Sequence, residues 1–212
     1  TNPGFGHDEE RQREKKTAMK YVKPSLLLFL SMFLFPVLYA SAATPYPQMK
    51  HSTVRVLSRV GNEMGFGSGF VVGYGQHVVT CWHVVRQSGG NAQILVAGNK
   101  VIDAVTIWRD EVKDLAILKT SENLGRKPVR FVRGGVIGDG EKVFAVGFPG
   151  AADNEMVGSI ESVLDAKVTA GIISAVSTSQ YGVRYYQIDA PINPGNSGGP
   201  LFDEYGVQLA FE

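Results

Sequence analysis

From His51 onward, short runs in which apolar and polar residues alternate are separated by glycine-rich turns, and no stretch keeps a helical period. Alternation every two residues is typical of strands that bury one face. The predicted strands are 53–59, 67–73, 77–80, 93–97, 101–108, 115–119, 142–147, 167–175, 185–189, 200–202 and 207–211. Residues 84–86 are long enough for one helical turn. Such a series of short strands predicts an all-β fold, built as barrels or as a sandwich.

The first 42 residues differ in composition from the rest of the chain. Residues 8–16 are mostly charged, which is typical of a solvated stretch that cannot bury a face. Residues 25–40 are apolar and uncharged, follow two lysines, and lead into small residues that end at Ala42. This order predicts a secretory signal peptide that is cleaved after Ala42. An uncleaved membrane anchor is the competing interpretation, because the apolar run is nearly long enough to span a bilayer.

Met19 directly precedes the basic start of this segment, so we expect the natural chain to begin there. A glycine-rich stretch near residues 132–140 lacks apolar alternation, and it predicts the division between two halves of the folded part. The predicted boundaries are 1–18 for an upstream extension that is disordered or artefactual, 19–42 for the signal peptide or anchor, and 43–212 for the folded domain, with halves at about 50–135 and 136–212.

Composition excludes several classes of function. The chain carries 21 basic and 20 acidic residues, so its net charge of +1 does not indicate a nucleic-acid partner. Its single cysteine, Cys81, rules out an internal disulfide and a multi-cysteine zinc cage. The acidic residues show no spacing typical of metal ligands, and the glycine loop at 65–69 leads into a strand instead of a helix. We therefore expect no cofactor and no metal.

The strongest local signal is the segment 193–200, with the sequence NPGNSGGP. A serine hydroxyl needs a base to take its proton, and the oxyanion that forms needs N–H donors. Glycine at position 195 allows backbone angles that point its own N–H and that of Ser197 at one spot. A plain turn would use the same residue types, but the apolar strands on both sides favour a nucleophile loop at Ser197.

A serine nucleophile requires a histidine base, and the chain has four histidines. His83 follows an apolar strand that would hold its ring, whereas His77 stands at a turn and His51 near the start of the folded part. His7 lies in the segment that precedes the signal peptide. The sequence therefore predicts His83 as the base.

The third member must be a carboxylate that orients the imidazole. Asp114 stands at the head of the apolar strand 115–118, where we expect its side chain to be buried at the edge of the core. Asp103 alternates with apolar residues and is expected to face outward, and Asp110 lies in a charged turn. Burial favours Asp114 over these two rivals.

At this stage three segments resemble the active-site blocks of the HtrA-type serine proteases: 80–85 (TCWHVV), 114–118 (DLAIL) and 189–200 (DAPINPGNSGGP). The resemblance extends over about residues 52–212 and keeps the order His, Asp, Ser. It implies the chymotrypsin fold, with two six-stranded antiparallel β-barrels and the active site between them. It also implies cleavage of misfolded or signalling proteins outside the cytoplasm, in the periplasm or after secretion, by a homotrimer that often carries PDZ domains. A membrane tether is expected only if the apolar segment stays uncleaved.

The resulting site hypothesis assigns catalysis to His83, Asp114 and Ser197, and the oxyanion hole to Gly195 and Ser197. The apolar side chains expected to bind substrate are Ile192, Leu209, Ala210 and Phe211. A catalytically silent secreted binder of unfolded chains is the alternative, although all three triad residue types are present. A resting protease, whose oxyanion loop is ordered only by a partner or by trimer formation, is a further possibility.

Two features depart from the family pattern. Cys81 and Trp82 precede the histidine, where small or polar residues are common; we expect Cys81 to be a small buried residue and Trp82 to pack under the histidine or narrow the cleft. Twelve residues follow Pro200, which is room for one hairpin. The second barrel is thus expected to lack its closing strand, as in a piece of a longer protein.

Overall fold

The structure is a computed structural model that describes residues 45–96, 100–131, 137–150 and 164–211. The predicted leader and part of the predicted break near 132–140 lie outside these residues. The helices are α1 (Tyr46–Ser52), α2 (Trp82–Val85) and a 3-10 helix (Arg86–Ser88), and the strands are β1 (Thr53–Val60), β2 (Glu63–Val72), β3 (His77–Cys81), β4 (Asn91–Val96), β5 (Lys100–Asp110), β6 (Leu115–Thr120), β7 (Lys142–Gly147), β8 (Lys167–Thr178), β9 (Arg184–Ile188), β10 (Pro200–Phe202) and β11 (Gln208–Phe211). None of the helices in these ranges is long and apolar enough to cross a membrane.

The first six strands close into a barrel in the order β1-β2-β3-β6-β5-β4. Closure is made by β1 and β4, which pair antiparallel with Val56 opposite Ile94. The barrel interior is filled by small and branched side chains, among them Val71 and Val78, which are fully buried. The alternation predicted for this half is therefore the inward and outward alternation of barrel strands.

The remaining strands form a curled antiparallel sheet in the order β11-β10-β7-β8-β9. Within the described residues this sheet has five strands and does not close, in agreement with the open second barrel expected from the sequence. Along β7, Phe144 and Val146 join a cluster that also holds Phe70 and Val79 of the first barrel. The residues between them on β7 pack on the opposite face of the sheet. Both faces of β7 are therefore buried, and one of them joins the sheet to the barrel.

Helix α1 connects the start of the domain to the second sheet. Proline in its first turn suits a helix start, because the N–H that proline lacks would have no partner there. Met49 is fully buried in the cluster between barrel and sheet, and the Tyr46 ring meets Phe144 edge-on at 5.4 Å. Gly206, in the turn between β10 and β11, approaches so closely that an added Cβ would lie 2.9 Å from the Pro45 Cβ. The helix and the last hairpin therefore pack against each other.

All eleven predicted strands correspond to a strand of the structure, and those at 142–147 and 200–202 have the predicted ends. β2 is longer than predicted because Glu63 pairs with Val60 across a tight turn at Gly61. The predicted helical turn after His83 is present as α2 and the 3-10 helix. Helix α1 was not predicted, since seven residues are too few to display a helical period and such a short helix depends on its tertiary contacts.

We predict that replacing Met49 with alanine lowers the free energy of unfolding by about 2–5 kcal/mol, the usual cost of truncating a buried methionine. Urea unfolding followed by tryptophan fluorescence measures this change. Tyr74→Ala serves as the control, because Tyr74 is 95% exposed and its loss should change stability by no more than about 0.5 kcal/mol. Equal losses in the two variants would contradict the packing of α1 described above.

Candidate active site

His83 and Asp114 are brought together by the pairing of β3 with β6. These strands are antiparallel, and their last register pair sets Cys81 opposite Leu115. His83 lies two residues after Cys81, and Asp114 immediately precedes Leu115. The two side chains therefore meet at the end of the barrel where β3 ends and β6 begins. The Trp82 N–H donates to the Asp114 carbonyl oxygen at 3.0 Å and fixes this crossing.

Both carboxylate oxygens of Asp114 are used to hold His83. Oδ1 accepts the backbone N–H of His83 at 2.8 Å, and Oδ2 lies 2.5 Å from the imidazole Nδ1. One carboxylate thus holds both the backbone and the imidazole of His83, which fixes the orientation of the ring. The backbone of Asp114 has a φ of +53°, in the left-handed region that aspartate tolerates better than most residues.

The argument from burial that selected Asp114 was wrong, although the residue it selected does contact His83. The side chains of His83 and Asp114 are 43% and 44% exposed, so the pair is open to solvent on one side. Asp103 bonds the Gln93 side chain on the outside of the barrel, as expected. Asp110 accepts the backbone N–H of Lys113, and this bond lowers the pKa of the carboxyl group.

Two other histidines lie away from this pair. His77 pairs with Lys119 at the start of β3, at the opposite end of the β3–β6 ladder from Cys81 and Leu115. The His51 Nδ1 accepts the Lys127 N–H at 3.1 Å. Partial burial, assisted by the positive charges of Arg126 and Lys127, lowers the pKa of His51. His7 lies outside the described residues, so the fold brings one of the three described histidines to a carboxylate.

The loop that carries Ser197 has two glycines in conformations that favour glycine. Gly195 has a φ of +104° and Gly198 a φ of +86°. An added Cβ at Gly195 would collide with the carbonyl oxygen of Phe148, and one at Gly198 with the hydroxyl of Thr80. Any larger residue at either position would be both strained and crowded.

Ser68, on β2, ties this loop to the first barrel. Its hydroxyl donates to the Gly195 carbonyl oxygen at 2.7 Å and accepts the Phe148 N–H at 2.9 Å. Its backbone N–H donates to the Ser197 carbonyl oxygen at 2.9 Å. The Ser68 carbonyl in turn accepts the Thr80 hydroxyl at 2.7 Å, and Ser68 is fully buried. Sequence reasoning assigned no role to Ser68; a serine between two glycines inside an apolar strand was the available signal.

The same contacts bring the serine loop to the histidine. An added Cβ at Gly67 would lie 2.8 Å from Val84 Cγ1 and 3.0 Å from the Ser197 carbonyl oxygen. Gly67 therefore fills the space between the residue after His83 and the backbone of Ser197. An added Cβ at Gly198 would lie 2.8 Å from the backbone nitrogen of Cys81, at the end of β3. The residues on either side of the histidine thus approach the loop that holds the serine.

The peptide before Gly195 has a defined orientation. The Pro194 carbonyl oxygen accepts the Gly150 N–H at 2.9 Å. Because no described peptide bond is cis, the N–H of Gly195 points away from Gly150. Among the described residues the N–H groups of Gly195 and Ser197 donate no hydrogen bond.

The four apolar residues expected to bind substrate lie in three different environments. Ile192 is 44% exposed ahead of the serine loop. Leu209 and Ala210 are partly buried against the cluster on the second sheet that contains Leu201. Phe211 pairs with Pro200 in the β10–β11 register, so its backbone lies beside the end of the serine loop.

Cys81 and Trp82 pack into the first barrel. Cys81 is 4% exposed in the barrel core, as its strand position predicted. Trp82 packs against the same core, and the Arg109 guanidinium lies 4.5 Å from its ring centroid. The Cys81 sulfur, one imidazole nitrogen of His83 and one carboxylate oxygen of Asp114 lie within 4.8 Å of one another. All three are side chains of types that bind metal ions.

The comparisons with known proteins agree with this geometry. Residues 67–210 match the trypsin-like peptidase domain family. The chain is 36% identical over 148 residues to Protease Do-like 1, chloroplastic, of Arabidopsis thaliana, covering 68% of this chain and 32% of that protein. It is 35% identical over 147 residues to the probable periplasmic serine endoprotease DegP-like of Bartonella henselae, covering 68% of this chain and 26% of that protein. The chain therefore spans about a third or less of the length of these relatives.

Two solved structures have the same fold. The serine endoprotease of Yersinia pestis aligns with a TM-score of 0.62 and 25% identity, over 78% of this chain and 56% of that one. The HtrA-type protease AlgWS227A with tripeptide aligns with a TM-score of 0.65 and 25% identity, over 80% of this chain and 52% of that one. These matches confirm the chymotrypsin fold and the resemblance stated from the sequence. The chain belongs to the trypsin-like peptidase domain family, and its relatives within that family are the HtrA-type serine proteases.

Proposed function

We propose that this protein is a serine endopeptidase in which Ser197 attacks a peptide carbonyl, His83 transfers the proton and Asp114 orients His83. The observation that carries the proposal is the pair of hydrogen bonds that link His83 to the Asp114 carboxylate. The glycine loop with Ser197 lies next to this pair and is hydrogen-bonded to β2. An imidazole held by a carboxylate, close to a serine on a glycine-rich loop, is the arrangement that acyl transfer requires.

The hydrogen bond to Asp114 determines which nitrogen of His83 can act as a base. With the Nδ1 proton donated to Asp114 Oδ2, the lone pair of the neutral ring is on Nε2. Nε2 takes the proton of the Ser197 hydroxyl as the acyl-enzyme forms, and later gives that proton to the leaving amine. Asp114 stabilises the imidazolium between these two transfers, and water then releases the acyl group by the same sequence of steps.

The backbone N–H groups of Gly195 and Ser197 are proposed to stabilise the oxyanion. Support comes from the orientation of the Gly195 N–H, away from Gly150, and from the positive φ that only glycine adopts easily. Such donors act on the charge that develops in the transition state, and losing one typically lowers kcat by about 10²–10³-fold.

Substrate recognition is proposed to rest on apolar contacts. Ile192, Leu209, Ala210 and Phe211 carry no charge, so the pocket for the residue before the cleaved bond should accept an apolar side chain of modest size. The DegP-like relatives are named periplasmic serine endoproteases. By that relationship we infer that the protein acts in the periplasm. From the resemblance to the HtrA-type proteases we further propose misfolded or signalling proteins as substrates and a homotrimer as the active form.

A fluorophosphonate probe tests the proposal directly, because it reacts covalently with an activated serine. The full chain should be labelled, and Ser197→Ala should abolish the label. Absence of labelling between pH 6 and 9, with and without added peptides that could order the loop, would instead support a binder of unfolded chains without catalysis.

We further predict that Asp114→Asn lowers kcat by about 10⁴-fold, since an amide holds the ring in the wrong tautomer. Hydrolysis of an unstructured protein such as casein measures the effect. Asp103→Asn removes the same charge from the outside of the barrel and should leave the rate within about twofold, in line with surface substitutions generally. If the two variants lose activity equally, Asp114 does not orient a catalytic base.

Ser68 is predicted to be a positioning residue. Ser68→Ala removes the hydroxyl that links Gly195 to Phe148, so the oxyanion donors lose their support and kcat should fall by at least about tenfold, with a smaller change in KM. Ser58→Ala, which removes another buried hydroxyl of the same barrel, is the control for a general loss of stability. A change in melting temperature with kcat intact would show that Ser68 serves stability alone.

A further inference from the structure

Cys81 adds a third side chain of a type that binds metals to the proposed catalytic pair, His83 and Asp114. Cys81 is the last residue of β3, His83 lies in α2, and Asp114 precedes β6. The Cys81 sulfur, an imidazole nitrogen and a carboxylate oxygen are within 4.8 Å of one another. The sequence led us to expect no metal because its acidic residues are scattered, but the register that sets Cys81 opposite Leu115 assembles this cluster from distant segments.

We propose that Cys81, His83 and Asp114 form a binding site for a thiophilic divalent cation, represented by Zn²⁺, and that the bound cation switches the protease off. The regulatory half of this proposal rests on the proposed function, whereas the binding half does not. Zinc takes cysteine, histidine and carboxylate ligands in a tetrahedron at about 2.0–2.3 Å, which requires neighbouring ligand atoms about 3.3–3.7 Å apart. Shifts of about 1 Å bring the cluster to that geometry.

Charge and ligand softness favour zinc over magnesium or calcium. A sulfur and an imidazole nitrogen select softer cations, whereas magnesium and calcium prefer sites made of oxygen. When the cation binds, Cys81 releases its thiol proton to solvent and becomes a thiolate. Thiolate and carboxylate then balance the two positive charges of the cation. Without the cation, the Asp114 carboxylate is held by its two hydrogen bonds from His83.

Access to the cluster is one-sided. The side chains of His83 and Asp114 are 43% and 44% exposed, whereas Cys81 is buried in the barrel core. A cation therefore arrives from solvent, contacts the imidazole and the carboxylate first, and has the thiolate as its innermost ligand. Water supplies the fourth ligand on the open side, as in zinc sites with three protein ligands.

Binding at this place removes the general base. The cation takes the lone pair of the His83 Nδ1, which now bonds Asp114 through a proton. The single proton of the neutral ring then resides on Nε2, so Nε2 can no longer accept the proton of Ser197. No covalent bond of the protein changes, and removal of the cation by a chelator restores the base.

Cobalt is the probe that tests the binding half, because a cobalt–thiolate bond absorbs in the near ultraviolet. Cys81 is the single cysteine of the chain, so a thiolate-to-cobalt band can come from no other residue. Titration of the full chain with Co²⁺ should produce this band, and Zn²⁺ should displace it. Cys81→Ser should lose the band, and His77→Ala, which removes an imidazole outside the cluster, should keep it. No band in the unaltered chain would overturn the proposal.

Zinc titration of fluorophosphonate labelling tests the regulatory half, each variant being compared with its own labelling without metal. Half-inhibition should require at least about ten times more Zn²⁺ in Cys81→Ser, since losing even supporting groups of a metal site costs 10–100-fold in affinity. Equal sensitivity of Cys81→Ser and the unaltered chain would overturn the proposal. His77→Ala should match the unaltered chain.

Two further measurements keep the outcomes separate. Ser197→Ala should retain the cobalt band, so failure of the proposed function, seen as no labelling in any variant, leaves the binding test intact. If Cys81→Ser fails to fold, proton release by the unaltered chain replaces it. In weakly buffered solution at neutral pH, Zn²⁺ binding should release about one thiol proton per chain, and binding without proton release would overturn the site.

Discussion

The antiparallel register of β3 with β6 determines where the side chains of Cys81, His83 and Asp114 lie. It sets Cys81 opposite Leu115, and the residues just beyond those two are the ones that carry the imidazole and the carboxylate. A shift by one residue would turn His83 and Asp114 to different faces of the sheet. The apolar side chains that alternate along both strands prevent such a shift, because it would expose the barrel core.

The serine loop depends on this arrangement indirectly, through Ser68. Ser68 lies on β2, the neighbour of β3, and its hydrogen bonds reach Gly195, Ser197 and Phe148 across the junction between barrel and sheet. The hydroxyl of Thr80 on β3 holds the Ser68 carbonyl from the other side. A chain of buried hydrogen bonds thus runs from β3, the strand that precedes His83, to the loop that carries the serine, which couples the geometry of the two halves.

Most of the fold could be predicted from the sequence because strand alternation is a local property. Local pattern also singled out His83 and Ser197 as candidates, because they stand where an apolar strand ends and where glycines cluster. The contact between His83 and Asp114 could not be derived from local pattern, since the two residues are 31 positions apart in the chain and meet only through strand pairing. The burial expected for Asp114 was wrong for a related reason: two hydrogen bonds to His83 hold the carboxylate while leaving one side of it in water. The role of Ser68 and the grouping of Cys81 with His83 and Asp114 were missed because each depends on contacts between distant segments.

The packing of α1 under the last hairpin has a consequence for synthesis of the chain. Met49 and Pro45 leave the ribosome early, but their partners Phe202 and Gly206 are made more than 150 residues later. Until then the apolar face of this short helix has no lasting cover, and non-local contacts of this kind form slowly. A nascent chain of this protein therefore exposes the apolar face of α1 until β10 and β11 have been made.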